Sequence, residues 1–198
     1  LSRKDFLKLG AAGVAGAILF AGAGRALARP RGSSLMEEFR AAARQYNVPV
    51  ELLMAMGWVN TRWEMPPPHV SEYEPGNLHG TGIYGIMALV QNPSADTLGE
   101  ASRLTGIPEE TLKRDRAANI MGGAALLARA RAAKHTPEPT PQARALSAVE
   151  GGPAYDAIAG VGGGELYRQQ VADALRSGVS ATTLAGERLT LPSQAGVL

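Results

Sequence analysis

Between Trp58 and Tyr84 the sequence gathers aromatic, amide, carboxyl and imidazole groups: Trp58, Asn60, Trp63, Glu64 and Tyr84, with His69, Glu72, Tyr73, Glu74 and His79 in a loop, polar and able to bind a sugar. Aromatic faces and a few convergent polar groups make a ligand site, and a protonated carboxyl can give its proton to a glycosidic oxygen. Glu64 lies four residues after Asn60, one helical turn on. It can serve as such an acid if the helix continues and its side chain points into a groove; otherwise it is a solvated or N-acetyl-contacting carboxylate. Glu72 and Glu74 read as loop surface charges, with catalysis as the alternative. His69 and His79 do not have the spacing of a helix-borne metal pair such as H-E-x-x-H, and read as surface or sugar-contacting side chains. No metal and no cofactor is expected. Trp58 sits in an apolar helix and reads as core. Trp63 and Tyr84 stand open between stacking on sugar and packing.

The elements that must hold these groups are helical. Ser34 and Glu37 have capping-box spacing and open a helix with Leu35, Phe39, Ala42, Ala43 and Tyr46 on one side, closed by Asn47. Pro49 restarts a second helix, Val50 to about Val59, apolar nearly all round and therefore expected at the centre of the fold. Trp63 to Gly82 is a long irregular segment with Pro66, Pro67 and Pro68, and loops of that length are functional or disordered. Gly82 to Leu89 forms a tight apolar return. Asp96 or Thr97 caps a third helix ending at Gly106, Pro108 starts a short fourth through Lys113, and Asp115 caps a fifth. Gly122 and Gly123 inside that fifth helix cost roughly 1 kcal/mol each relative to Ala, which points to close approach of a neighbouring helix. Residues 135–142 read as an internal linker, Ala143–Val149 as a weak helix, and Glu165 to Ser177 as a final amphipathic helix with Leu166, Val171, Ala174 and Leu175 on its apolar side, stopped by Gly178. Glu187 to Leu191 alternates like a strand, and one short strand has little to pair with. The class is all-α, with a long irregular groove loop.

The chain has 198 residues and no Cys, which suits one domain and excludes a disulfide framework and thiol catalysis. Its net charge of +2 comes from the start of the chain. Setting aside residues 1–28 removes Arg3, Lys4, Lys8 and Arg25 against Asp5, so 20 basic and 18 acidic side chains become 16 and 17. The remainder makes no electrostatic case for nucleic acid. Residues 2–8, S-R-K-D-F-L-K, resemble the twin-arginine export motif with Lys4 in place of its second arginine. An Ala- and Gly-rich apolar stretch follows, Leu9 to Gly24, and then Ala26-Leu27-Ala28, a small-x-small cleavage pattern. Residues 1–28 thus read as an export signal and 29–33 as a linker, with a retained weak membrane anchor as the alternative. Contact with a membrane is expected only through this signal.

Several segments together resemble the lysozyme-like fold, and within it the soluble lytic transglycosylases. That group has a buried helix ending in Glu-Ser, a G-x-x-G-x-M-Q-L segment, an N-I-x-x-G-x-x-x-L helix and a Tyr-Asn-Ala-Gly turn. The corresponding stretches are Val59-Asn60-Thr61, Gly82-Ile83-Tyr84-Gly85-Ile86-Met87-Ala88-Leu89, Asn119-Ile120-Met121-Gly122-Gly123-Ala124-Ala125-Leu126-Leu127 and, loosely, Gly160-Val161-Gly162-Gly163. The resemblance spans residues 34–178 and is nearest to the N-terminal region of exported bacterial N-acetylmuramoyl-L-alanine amidases. Residues 179–198 then resemble the connector to a downstream amidase domain. The resemblance implies that Asn60 occupies the position of the catalytic Glu and Ala88 that of a substrate-contacting Gln. It implies groove contacts from Trp63, Tyr84, Met87, Glu72, Tyr73 and His79. Asn60 itself reads either as a groove amide or as a helix C-cap.

An amide has no proton to transfer near neutral pH, and general acid–base help is worth about 10²–10⁴ in rate. The expectation is therefore an exported module, in the periplasm, cell wall or outside the cell, that binds peptidoglycan glycan strands without the usual acid. One alternative is an active glycan-strand hydrolase or lytic transglycosylase using Glu64. A second is a structural envelope protein.

Overall fold

Ser34 accepts the Glu37 amide through its hydroxyl at 3.3 Å, and Glu37 returns a carboxylate to the Ser34 amide at 2.9 Å. This capping box starts helix α1, Leu35–Tyr46, which ends where Asn47 turns left-handed at φ 49°. The computed structural model describes residues 34–77, 81–133 and 164–194. The leader, the linker at 29–33, the internal linker at 135–142, the weak helix at 143–149, Gly160 to Gly163 and His79 all lie outside the described residues. Among the described residues the protein is mostly helical, with two small hairpins.

Helix α2, Val50–Thr61, buries Leu52 through Gly57 without a break, as expected for a helix with no polar stripe. It runs to Thr61 rather than stopping at Val59. A 3-10 turn at Pro68–Val70 is the regular piece of the following irregular segment. Strands β1 (Ile83–Tyr84) and β2 (Leu89–Val90) then pair antiparallel, Ile83 opposite Val90 and Tyr84 opposite Leu89. Helices α3 (Thr97–Thr105), α4 (Glu109–Arg114) and α5 (Arg116–Ala133) follow. Asp96 caps α3 at the Gly99 amide, 2.9 Å, and Asp115 caps α5 at the Ala118 amide, 2.8 Å. Helix α6 is Glu165–Ser177. Its expected apolar side is revised at one position: Leu166 is 69% exposed, and the neighbouring Tyr167 packs against the core instead.

The two glycines of α5 sit at close approaches of different kinds. A Cβ on Gly122 would meet Ala101 of α3 and Leu112 of α4 at 3.1 and 3.2 Å, so two helices close on this point. A Cβ on Gly123 would lie 2.6 Å from the Met87 side chain, so its neighbour is the β1–β2 turn and not a helix.

The lone strand expected near the C-terminus has a partner. Strand β3 (Val179–Thr182) pairs antiparallel with β4 (Arg188–Leu191), from Val179 opposite Leu191 to Thr182 opposite Arg188. Val179–Thr182 lies in the stretch that resembles a connector, and its strand is one that the sequence pattern does not show. Leu189 and Leu191 alternate into the core, 2% and 1% exposed, so this hairpin is packed into the helical body.

Charge fixes the hairpin as well as packing does. Arg116, at the start of α5, donates to the buried Glu38 of α1 through Nε at 2.6 Å and Nη2 at 3.1 Å. It also donates to Glu187 in the β3–β4 turn. Glu187 in turn accepts the Leu35 amide at 2.9 Å, one of the donors a helix start leaves unpaired. Burial alone would lower the Arg116 pKa, but the hydrogen bonds and charges of the two carboxylates outweigh it and raise it. One guanidinium thus joins α1, α5 and the hairpin. Arg116→Ala would leave Glu38 buried beside an empty space. It should lower unfolding free energy by about 3–5 kcal/mol, measured by urea unfolding; a loss under about 1 kcal/mol would mean that the network contributes little.

Candidate functional site

The end of α2 is shaped by two successive left-handed residues, Arg62 at φ 58° and Trp63 at φ 66°. Left-handed backbone costs roughly 1–2 kcal/mol per non-glycine residue, so something must hold it. Trp63 does: its ring is 1% exposed and its indole N–H donates to the Met54 carbonyl at 2.8 Å. The chain therefore folds back under α2 instead of continuing along its axis. Arg62 is the C-cap, with its amide bonded to the Gly57 and Trp58 carbonyls. Asn60 is consequently not a C-cap; it lies inside the last turn.

This reversal revises three expectations. Glu64 is not one helical turn beyond Asn60, because the helix has already ended. Its carboxylate accepts the Leu184 amide at 2.8 Å and so joins α2's exit to the β3–β4 turn. Trp63 is a core residue with no ring face free to stack on a ligand. Trp58, expected in the core, is half-buried: its ring lies 4.9 Å from that of Trp63, and the Arg62 guanidinium sits 4.6 Å from its centroid.

Asn60 occupies a junction. Its Nδ2 donates to the Ile86 carbonyl in the β1–β2 turn at 3.4 Å, a long bond. The Tyr167 hydroxyl on α6 lies close enough to be affected by the Asn60 amide. Burial pushes the Tyr167 hydroxyl up to about 12, and the nearby Asn60 amide partly offsets this. Asn60 is half-buried, so three elements bring an amide and a phenol together near the surface. Tyr167 was not singled out in the sequence. No local sequence signal marks it, because its place beside Asn60 depends on α6 packing against α2.

The β1–β2 turn is held from below by Asn119 of α5, which is fully buried. Its Oδ1 accepts the Met87 amide at 2.8 Å, and its Nδ2 donates to the carbonyls of Tyr84 at 3.1 Å and Leu112 at 3.0 Å. The turn passes so near that a Cβ on Gly85 would fall 2.3 Å from Asn119 Nδ2, and Gly85 is left-handed at φ 71°. Only glycine fits both conditions. Met87 presses on Gly123 and is 6% exposed; Tyr84 is 4% exposed, with Lys113 Nζ 4.9 Å above its ring. The expected groove contacts Tyr84 and Met87 are therefore core residues that shape the turn. Ala88, left-handed at φ 53° and half-exposed, is the turn residue nearest to solvent.

Glu72 and Tyr73 stay exposed on the loop after the 3-10 turn, and among the described residues neither hydrogen-bonds Asn60. Glu74 accepts from Asn77 at 2.9 Å, and His69 is exposed. Among the described residues no group of three or more His, Asp or Glu gathers as a metal site.

Taken together, the fold and site define a mostly helical domain with a polar junction at Asn60 and Tyr167 over a buried amide clamp at Asn119. Compared with protein-family models, curated proteins and solved structures, the chain matches none.

Asn119→Ala would leave the Met87 amide buried without its partner and remove one hydrogen bond from each of the Tyr84 and Leu112 carbonyls. At about 1–3 kcal/mol per unsatisfied group, it should destabilise the protein by on the order of 3 kcal/mol. Asn60→Ala, at a half-buried site with one long bond, should cost less than about 1 kcal/mol. Equal losses in denaturant unfolding would show that Asn60 is as structural as Asn119. Tyr167 adds a pH signature. Its folded pKa lies above the unfolded value, so the protonated phenol's stabilisation is complete below pH 10 and lost as pH rises toward 12. Tyr167→Phe should make the fall of stability over that window shallower, measured as denaturation midpoint against pH; an unchanged slope would contradict the burial.

Proposed function

We propose that this is an exported lysozyme-like module that holds peptidoglycan glycan strands without cleaving them, acting in cell-wall remodelling alongside an N-acetylmuramoyl-L-alanine amidase activity. The observation that carries the reading is Asn60. It stands in the last turn of the buried helix α2, half-buried, hydrogen-bonded to the β1–β2 turn and beside Tyr167. In the family that the sequence resembles, this is the position of the general acid. A carboxyl so placed would be kept protonated by desolvation; an amide can only donate and accept hydrogen bonds. Three of the four stretches that carry the resemblance also pack on one another. Asn60 reaches Ile86, and Asn119 reaches Tyr84 and Met87, which supports reading them as one unit. The Glu64 alternative loses its premise, since that carboxylate is turned to the Leu184 amide.

Export rests on the S-R-K-D-F-L-K start, the apolar stretch after it and the Ala26-Leu27-Ala28 pattern. Partners are expected in the wall polymer rather than in nucleic acid.

Residues 29–198 should co-sediment with insoluble peptidoglycan at moderate salt and release no soluble muropeptides. Asn60→Glu should raise muropeptide release by on the order of 10²-fold or more over the unsubstituted protein. Failure to co-sediment would overturn the binding reading. Release by the unsubstituted protein that Glu64→Gln abolishes would favour an active hydrolase instead.

A further inference from the structure

A shallow depression lies where α1 meets α2, at the other end of α2 from Asn60. It encloses about 290 Å³ and is lined by Arg40, Ala43, Arg44, Asn47, Val48 and Val50. Arg40 and Arg44 are one turn apart on α1, so their side chains share a face. Both are exposed, and neither has an ion-pair partner among the described residues. Arg114, Arg168 and Arg176 each pair with a carboxylate on their own helix, whereas Arg103 of α3, like Arg40 and Arg44, is exposed without an ion pair among the described residues. A third guanidinium reaches the rim, because Arg131 of α5 donates through Nη1 to the Asn47 carbonyl at 2.6 Å. The floor is apolar: Ala43 and Val48 are buried, and Val50 is half-buried.

We propose that this depression binds the free carboxylate end of a short peptide whose last residues are small and apolar. Guanidinium forks match a carboxylate in charge and in bidentate geometry. The floor of Ala43, Val48 and Val50 accepts methyl-sized side chains, which an inorganic anion would leave unused. The volume, just below the roughly 300–1,000 Å³ of ligand pockets, suits one or two small residues and not a polymer. Val50 and Asn60 are separated by about 15 Å of helix at 1.5 Å per residue, so this site does not share the Asn60 junction. The inference goes beyond the glycan reading and stands without it.

The test is a titration of isotope-labelled protein with N-acetyl-alanyl-alanine, followed by its C-terminal amide and by inorganic phosphate, read as amide shifts in the nuclear magnetic resonance spectrum. The free acid should shift residues 40–50 with millimolar affinity, and the amide and phosphate should each bind at least about tenfold more weakly. Arg40→Ala combined with Arg44→Ala, at two exposed positions, should weaken the acid by about tenfold or more with the remaining spectrum unchanged. Should that variant misfold, Arg44→Lys keeps the charge, loses the fork and should weaken binding severalfold. Three results would each overturn the proposal: no shift at residues 40–50, equal binding of the amide, or phosphate binding as tight as the acid. So would an unaltered affinity in the folded variants. Loss of peptidoglycan co-sedimentation in the arginine variants is not required, which keeps this outcome distinct from the glycan reading.

Discussion

The Asn119 carboxamide sits with no exposure between three elements and makes a hydrogen bond to each of Met87, Tyr84 and Leu112. The β1–β2 turn has only two paired residues on each side, too few to be stable by itself in water. It keeps its shape because a buried polar group must find partners, and the turn's own amide and carbonyl are those partners. Gly85 is the geometric counterpart of this clamp. Any side chain there would occupy the space of the amide. The Ile86 carbonyl, which receives Asn60, is therefore positioned by a residue of α5 whose hydrogen bonds go to Met87, Tyr84 and Leu112.

A second constraint acts from the opposite side. Trp63 is drawn into the core, and that burial sustains two consecutive left-handed residues. A fully buried large side chain is worth roughly 1.5–3 kcal/mol, comparable with the backbone cost of about 1–2 kcal/mol per residue; the indole hydrogen bond to Met54 tips the balance. The consequence is chemical. The carboxylate of Glu64 is carried away from α2's axis toward the second hairpin, and the position one turn beyond Asn60 is left without an acid on this helix. What stands at the junction is an amide beside a phenol held protonated.

The helices were legible in the sequence where side chains cap themselves. Ser34 with Glu37, Asn47, Asp96, Gly106, Asp115 and Gly178 mark ends that the structure reproduces to within a residue or two. The second hairpin was not legible, because half of it is Val179–Thr182, four small or β-branched residues whose alternation appears only once β4 supplies its partner. The site was legible in part. Asn60 was visible as a polar residue ending an apolar helix. The burial of Trp63, Tyr84 and Met87 was not, since an aromatic or Met beside glycines is equally suited to a groove wall and to a packed turn. Here Gly57, Gly85 and Gly123 admit neighbouring side chains to within contact distance, and that closeness decides for packing. Tyr167 escaped notice because its role depends on α6 lying against α2, a long-range contact that no local pattern encodes.

The account depends on glycan meeting the protein at the Asn60 junction, and chemical-shift mapping with a soluble peptidoglycan disaccharide fragment tests this most directly. The side-chain amide of Asn60, the backbone of Ile86 to Ala88 and the ring of Tyr167 should move together as the fragment is added. Shifts confined to another face, or none at saturating fragment, would contradict it.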